Sequence, residues 1–238
     1  MAELQAPILP SRLYRYRSLT RSSAALVEEI ASIQNDFFYC SSFTQMNDPM
    51  EGFFQASKIL KGKSNYKDIV RKITNVKSKI GIACFSETYD NGLMWSHYAG
   101  NYSGICIAYS ARDLLDGLPD ETALVRLAYV DKPPVLFPSH AADKTNAVVR
   151  VLSHKQYIWT YEREWRVIGD VGPITYDRPH AIRRIFFGSR IKADHKAQIL
   201  SAIEGTKIEV YMMEIEGWVH YWDEVSVKSK PRKFGRIR

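Results

Sequence analysis

The apolar positions of this chain fall into short runs of two kinds, which predict a mixture of strands and helices. Alternating or nearly continuous apolar runs, bounded by polar and turn-forming residues, are typical of strands. Asn47, Asp48 and Pro49, for example, form a turn signature that ends an aromatic run. On this pattern we predict strands at residues 13–18, 37–43, 79–86, 103–110, 123–129, 162–170, 182–190 and 208–215.

Apolar residues spaced about 3.6 positions apart predict the helices. We expect a basic helix pair or one broken helix at 54–79, a helical turn or two within 91–102, and further helices at 22–33, 143–159 and 193–203. The strands and helices do not alternate regularly, as they would in a doubly wound sheet. Their order therefore predicts an α+β fold with a split, mostly antiparallel sheet and flanking helices.

The composition is that of a folded, basic protein. The 238 residues are 45% hydrophobic and 12% aromatic, which is enough for a large core. We expect a single domain over residues 1–238, with its core at about 12–225 and a basic tail at 226–238. The formal net charge of +7 favours an anionic partner such as nucleic acid, a dinucleotide or an acidic protein. A well-solvated basic surface is the equally open alternative.

The chain has the features expected of a cytoplasmic protein with no membrane partner. No apolar run approaches the roughly 18 residues that a membrane span needs. The first residues also lack the charged and then apolar order of a signal peptide. Cys40, Cys84 and Cys106 are widely spaced among apolar residues, so we expect buried reduced thiols and no metal site.

Candidate chemistry lies in polar residues at the ends of predicted strands. The chain carries neither a glycine-rich phosphate loop nor a nucleophile elbow, which removes the commonest nucleotide-binding and hydrolase classes. Arg15 and Arg17 share one face of the first predicted strand, where two guanidinium groups can hold a phosphate or carboxylate. An edge strand with a charged, solvated face is the structural alternative.

Two further groups are candidates for the wall of a pocket. Ser41 and Ser42 end an aromatic strand and could line a pocket there. Trp95 and Tyr98 can stack on a planar ligand. His97 stands between these two aromatic residues in the sequence, although a lone histidine is more often a hydrogen-bonded core residue.

The acidic pair Glu162 and Glu164 is the most informative group. Strand alternation places both carboxylates on one face together with Arg166. Carboxylates so close repel each other unless a cation lies between or opposite them. Such a pair beside bulky aromatic residues favours a functional role over a purely structural one.

Several motifs in this order closely resemble a bacterial family known as domain of unknown function 2971. The resemblance runs from about residue 12 to 190. The motifs that carry it are LYRYRS, FTQMNDPMEG, IACFSET, LMWSHYAGNYSGICIAY and HKQYIWTYEREWRVI.

A more distant resemblance is to the ADP-ribosyltransferase domains of bacterial toxins, which open with a similar Leu-Tyr-basic-Tyr strand. This resemblance implies that Arg15 holds a phosphate or ribose of NAD and that Ser41 or Ser42 stands in the second-strand serine element. Glu162 and Glu164 match the Glu-x-Glu element. Glu164 would stabilise the ribose cation as nicotinamide leaves, and Glu162 would help to activate the acceptor.

The resemblance implies an NAD-dependent ADP-ribosyltransferase-like protein of the toxin or phage-defence type, with NAD as substrate and no metal. Its partners would be a nucleic-acid or protein acceptor and an antitoxin or operon partner. We expect Arg15, Ser42, Tyr98 and Glu164 to converge on one pocket. The alternative is a non-catalytic nucleotide or nucleic-acid binding module, in which Glu162 and Glu164 only pair with arginines.

Overall fold

The computed structural model describes residues 3–5 and 8–226, and these residues form two compact units. The first unit comprises the described residues up to Leu13, together with Asp36–Thr88 and Ala111–Arg178. The second comprises Tyr14–Asn35, Tyr89–Ser110 and the described residues from Pro179. The predicted basic tail lies almost entirely outside the described residues, and the single domain stays a prediction.

Strands and short helices alternate irregularly along the chain, as the sequence predicts. The strands are β1 (Glu3–Gln5), β2 (Arg12–Arg17), β3 (Phe37–Ser42), β4 (Gln55–Ala56), β5 (Ile80–Ser86), β6 (Ile105–Ser110), β7 (Ala123–Arg126), β8 (Ala128–Val130), β9 (Val135–Leu136), β10 (His154–Gln156), β11 (Glu164–Asp170), β12 (Gly172–Thr175), β13 (Ile182–Phe187), β14 (Glu209–Glu216) and β15 (Val219–Glu224). The helices are α1 (Ala25–Gln34), α2 (Lys58–Lys61), α3 (Tyr66–Lys77), α4 (Gly92–Tyr98), α5 (Ala111–Gly117), α6 (Lys144–Leu152) and α7 (Ala193–Ala202), with 3₁₀ turns at Phe43–Gln45 and Tyr157–Glu162.

In the first unit, β11 lies between β5 and β7 and is antiparallel to both. Strand β3 pairs antiparallel with β5 and β12, while β1 pairs parallel with β7. Helix α3 packs against α6, because each helix has one apolar stripe to bury. The resulting core includes Ile73 of α3, Val148 and Leu152 of α6, and Val125 and Ile168 of the sheet.

In the second unit, β13 pairs antiparallel with β6 and parallel with β14, and β14 continues into an antiparallel hairpin with β15. Aromatic rings fill much of its core. The ring of Phe186 stacks on Tyr89 at 4.3 Å and on Tyr211 at 5.3 Å. Helices α1 and α7 also pack against each other.

The predicted fold class is confirmed as α+β with a mostly antiparallel sheet. Most predicted elements occur within a few residues of their expected bounds. The sequence patterns did not reveal β1, β12, β15 and α5. No helix among the described residues has both the length and the apolar character needed to cross a membrane.

Two expected boundaries around the acidic pair are wrong. The helix predicted for 143–159 ends at Leu152, and β10 and a 3₁₀ turn follow it. The strand predicted for 162–170 begins at Glu164, because Arg163 has a left-handed backbone with φ 45° and ψ 51°. In this segment the backbone follows the buried ion pairs of Lys155, and the apolar spacing does not determine it.

Candidate functional site

Five buried charged side chains of the first unit form a network that we call the ionic cluster: Glu51, Lys155, Glu162, Glu164 and Arg166. The Lys155 Nζ lies 2.5 Å from Glu162 Oε2, 3.0 Å from Glu164 Oε2 and 3.1 Å from Glu51 Oε1. The Arg166 Nε donates to Glu164 Oε1 at 2.7 Å. Its Nη2 donates to Glu51, and its Nη1 donates to the carbonyl of Leu152 at 2.9 Å.

The five members of the ionic cluster come from four local structures. Glu164 and Arg166 are two positions apart on β11 and therefore share a face of the strand. Glu162 ends the 3₁₀ turn, and the left-handed Arg163 directs it toward the same place. Lys155 lies on β10, and Glu51 closes the turn that begins at Asp48 by donating its backbone N–H to the Asp48 carbonyl.

The surroundings hold the end of the 3₁₀ turn and the start of β11 in place. Ser86 Oγ donates to the carbonyl of Glu162 at 2.7 Å, and the backbone N–H of Glu164 donates to Tyr129 Oη at 2.7 Å. The Lys155 ammonium also lies 4.9 Å from the centre of the Trp159 ring. The acidic pair is thus fixed through backbone contacts as well as through its carboxylates.

Burial and mutual attraction together determine the charge states of the ionic cluster. Burial favours a raised pKa for Glu164, but the nearby Arg166 and Lys155 outweigh burial and lower that pKa below its ordinary value. Burial likewise opposes the charge of Lys155, and Glu164, Glu51 and Glu162 more than compensate, so the pKa of Lys155 is raised. The ion pairs join three carboxylates to two cations, which leaves one formal negative charge.

This geometry makes Glu164 a structural ligand of two cations. Both of its carboxylate oxygens are engaged, and the residue is 4% exposed. Its lowered pKa makes it a weak base. Breaking a buried ion pair from one side typically costs about 3–5 kcal/mol, so the contacts that hold Glu164 resist rearrangement.

A cavity of about 90 Å³ opens beside the ionic cluster in the first unit. Glu51 and Lys155 are members of the ionic cluster that also line this cavity. The other lining residues are Asp48, Met50, Gly52, Phe53, Val130, Asp131, Lys132, Pro133, Pro134, His154 and Gln156. No group of three or more His, Cys, Asp and Glu side chains in the described part of the chain is placed to hold a metal ion.

The first unit also carries a concentrated basic surface, residues 58–79, which we call the basic segment. It contains eight lysines and arginines and one acidic residue, Asp68. The exposed cations are Lys58, Lys61, Lys63, Lys67, Arg71, Lys72 and Lys79. Asp68 pairs with Arg71 at 2.6 Å and with Lys72 at 2.9 Å, so the segment keeps a large positive excess.

The structure does not bring Ser41 and Ser42 beside the acidic pair. Ser42 pairs with Gly81 on β5, whereas Glu164 pairs with Ser86, five positions further along the same strand. Five strand positions correspond to about 17 Å. The Ser42 hydroxyl accepts the N–H of Thr44 and so caps the following 3₁₀ turn.

The predicted arginines lie in the second unit. Arg17 Nε donates to the buried Glu29 at 2.6 Å. Burial opposes the charge of Arg17, but Glu29 outweighs burial and raises its pKa. Arg15 is 6% exposed, and its role in holding a phosphate stays a prediction.

The predicted aromatic wall has one core member and two residues nearer the surface. Trp95 is fully buried; its ring meets Tyr16 edge-on at 5.4 Å and stacks on Tyr102 at 6.3 Å. Its indole N–H donates to the carbonyl of Tyr89 at 2.7 Å, so Trp95 has no surface left for a ligand. His97 is exposed and Tyr98 is half-buried, so both retain accessible surface.

Sequence reasoning missed Glu51 and Lys155. The close spacing of Glu162 and Glu164 does predict a nearby cation, because two adjacent carboxylates repel each other without one. That requirement does not say which lysine or arginine supplies the charge. Lys155 was hidden in a predicted helix, and Glu51 is 104 positions from Lys155 in the sequence.

The fold and site thus define an α+β protein whose first unit is built around a buried ionic cluster and carries an exposed basic surface. Residues 94–167 match the family described as Protein of unknown function (DUF2971), which confirms over that segment the resemblance predicted from the sequence. The matched segment carries four members of the ionic cluster and does not include Glu51. No curated protein and no solved structure matches the chain.

Proposed function

We propose that this chain is a non-catalytic nucleic-acid binding module that contacts the phosphate backbone through the basic segment. The observation that carries the proposal is the density of exposed cations on α2, α3 and the loop between them. Protein cations that neutralise phosphates release bound counterions, and this release is the main source of sequence-independent affinity for nucleic acid.

The packing of α3 supports this assignment. The helix buries Ile73 and packs Ile69 and Val76 against the core of the first unit. Lys67 and Arg71 are four positions apart, so they lie on one helix face one turn apart, and both are exposed. The apolar stripe fixes the helix, and its basic face remains available to a polyanion.

The ionic cluster has a supporting role in this proposal. Lys77 at the end of α3 donates to the carbonyl of Gly52 at 2.7 Å, and Gly52 follows the cluster residue Glu51. Arg166 binds both Glu51 and the carbonyl that ends α6. These contacts connect α3, α6 and the turn at Glu51 and Gly52 to β11. The basic segment therefore has a rigid base.

The salt dependence of nucleic-acid binding tests the proposal. Fluorescence anisotropy would follow binding of the full chain to a short labelled duplex over a series of salt concentrations. We expect the triple variant Lys61→Ala, Lys63→Ala, Lys67→Ala to reduce the slope of log K against log salt by about 2–3, since each lost phosphate contact removes roughly 0.9. The matched control replaces exposed Lys132, Lys192 and Lys207 with Ala and should leave the slope unchanged.

Both triple variants remove three charges and retain the basic tail, so their difference isolates the basic segment. An unaltered slope in the Lys61, Lys63 and Lys67 variant would overturn the proposal. An equal loss in the two variants would also overturn it, because binding would then follow net charge alone.

NAD-dependent ADP-ribosyl transfer is a second candidate, favoured by one observation. Glu162 and Glu164 approach the same ammonium group, so the predicted Glu-x-Glu pair does occupy one place. For chemistry on NAD, however, Glu164 would have to leave Arg166 and Lys155 and meet a ribose. The resting geometry favours the binding module, and nicotinamide release distinguishes the two candidates.

A further inference from the structure

Strand β15 of the second unit has one open backbone edge. It pairs only with β14 in the described part of the chain. Hydrogen-bonded and non-hydrogen-bonded positions alternate along an antiparallel pair. The Val225 N–H donates to the Val210 carbonyl at 2.8 Å, which fixes that alternation. It directs the N–H and C=O groups of His220, Trp222 and Glu224 away from β14. These groups have no hydrogen-bond partner among the described residues, so the edge can accept a further strand.

The inward face of β15 holds this edge in a fixed position. The ring of Trp222 meets Phe186 edge-on at 5.0 Å and lies 5.3 Å from the ring of Tyr89. His220 Nδ1 lies 2.5 Å from Asp90 Oδ1, which ties the strand to the residue two positions before α4. A strand edge that is already ordered loses little conformational freedom when a partner binds, which lowers the cost of association.

The hairpin of β14 and β15 lacks several devices that usually keep an edge strand from pairing. Natural edges are blunted by proline, lysine, a bulge or a covering loop. Strand β15 contains neither proline nor lysine, and it pairs with β14 without a register shift. Trp218 in the turn is fully exposed, and Val219 and Tyr221 are about half exposed. Exposed apolar side chains beside an open strand edge are typical of a surface that binds another protein.

The charge of the hairpin determines which kind of strand fits. Residues 209–224 contain five carboxylates and no lysine or arginine, in a chain whose formal net charge is +7. Glu209 pairs with Arg184 at 2.6 Å. The other four carboxylates are exposed and form no ion pair within the described residues: Glu214, Glu216, Asp223 and Glu224. These charges repel nucleic acid and a second copy of the same hairpin, and they attract a cationic segment.

The side chains on the solvent face of the hairpin suit lysine and arginine. Val219 and Tyr221 alternate with the inward-facing residues of β15 and lie opposite Glu216 and Glu214 of β14. A further strand would lie about 4.8 Å from β15, so its outward side chains would contact Val219 and Tyr221. Lysine and arginine can lay their apolar stems over these two side chains while their charged ends reach the carboxylates.

We propose that β15 binds an extended basic segment of a partner protein, which adds to the sheet as a further strand. The backbone of that segment pairs with His220, Trp222 and Glu224, and its lysines and arginines meet the exposed carboxylates of the hairpin. Peptides that add to an open sheet edge gain affinity from backbone hydrogen bonds and specificity from alternate side chains. The inference is independent of the proposed nucleic-acid binding, because the hairpin belongs to the second unit and carries the opposite charge.

Fluorescence anisotropy of the full chain with short labelled peptides tests the proposal. The probe is a peptide of alternating lysine and valine, and its matched form carries N-methyl groups on three consecutive central residues, which removes backbone donors but keeps every charge. We expect saturable binding of the probe below about 100 μM and at least tenfold weaker binding of the methylated form, a difference of about 1.4 kcal/mol. Equal binding of the two peptides, or no binding of the probe in that range, would overturn the proposal.

A charge variant locates the binding surface. The triple variant Glu214→Gln, Glu216→Gln, Asp223→Asn changes only exposed side chains and should lower the affinity for the probe by about fivefold or more. The matched control makes the same three kinds of change elsewhere, at exposed Glu121, Glu204 and Asp131, and should bind as the wild type does. Equal affinities of the two triple variants would place the binding elsewhere and overturn the assignment.

A backbone variant tests the added strand itself. Glu224→Pro removes an N–H from the open edge and leaves the hydrogen bonds to β14 intact, whereas Glu224→Ala removes only the side-chain charge. We expect the proline variant to bind the probe at least threefold more weakly than the alanine variant, and equal affinities would contradict backbone pairing. Sedimentation of the chain without peptide examines a second copy as the occupant. A dimer that Glu224→Pro dissociates would assign the edge to that copy and overturn the proposal.

Discussion

Glu164 shows at the scale of one residue how buried charge can stabilise this fold. Its two carboxylate oxygens bind different cations, Arg166 and Lys155, and these contacts keep it ionised despite its burial. Because its pKa in the folded chain lies below the ordinary value of 4.5, the stability it contributes is present above about pH 4.5. That contribution is lost as the pH falls through the lowered pKa.

Replacement of Glu164 with Gln should therefore have an effect on stability that depends on pH. At pH 7 we expect the variant to lose about 3–5 kcal/mol in the free energy of unfolding, because Arg166 and Lys155 lose an ionic partner. The difference from the wild type should shrink as the pH is lowered below about 4.5, since Glu164 then takes up a proton in the unfolded chain while it stays ionised in the folded one, which favours unfolding of the wild type. Urea unfolding at a series of pH values measures both effects.

The exposed Glu121→Gln serves as control and should change stability by no more than about 0.5 kcal/mol. A Glu164→Gln penalty that stays constant from pH 7 to acid would show that the charge of Glu164 does not stabilise the fold.

At the scale of elements, the pairing of β5 with β11 brings the parts of the site together, and it depends on a glycine. Gly81 and Gly169 face each other across the two strands. A Cβ on Gly81 would lie 2.2 Å from the carbonyl oxygen of Asp170, whereas a Cβ on Gly169 would meet side-chain atoms, with Thr122 the nearest at 3.0 Å. The backbone of β11 cannot yield to the first contact without a change in pairing.

We expect Gly81→Ala to destabilise the chain by about 3 kcal/mol or more and Gly169→Ala by about 1 kcal/mol. Thermal or urea unfolding of the two variants provides the comparison, with each residue acting as the matched control for the other. Similar losses for both variants would contradict the close approach of β5 and β11.

The same elements show what the sequence could and could not predict. Apolar periodicity located β5, β6 and α7 well, because their apolar patterns reflect burial. It failed at 153–163, where a buried lysine and a left-handed arginine set the backbone. It also missed β15, whose alternating exposed and half-buried residues give a weak apolar pattern.

The candidate site was predictable only in part for a related reason. Glu162 and Glu164 could be identified from the sequence because they are only two positions apart. The other members of the cluster are brought to them by the fold. Lys155 comes from β10, and the third carboxylate, Glu51, comes from a turn that is distant in the sequence. The separation of Ser42 from Glu164 likewise follows from the strand register, which the pattern of residues did not determine.

At the scale of the whole molecule, structural and binding features are separated within the first unit. The ionic cluster is buried, whereas the basic segment is exposed and rich in cations. In the proposed binding module the ionic cluster stabilises the first unit, and the basic segment contacts nucleic acid. The predicted transferase instead assigns the chemistry to the buried acidic pair, so the two accounts differ on whether the chain consumes NAD.

Nicotinamide release from NAD, followed by mass spectrometry, shows whether the acidic pair only stabilises the fold or also does chemistry on NAD. Wild type and Glu164→Gln would be incubated with NAD in separate reactions supplied with RNA, DNA or protein, at a temperature where unfolding curves show both to be folded. We expect no release above the buffer control from either protein. Release by the wild type that Glu164→Gln abolishes while folded would contradict this expectation and establish the acidic pair as catalytic.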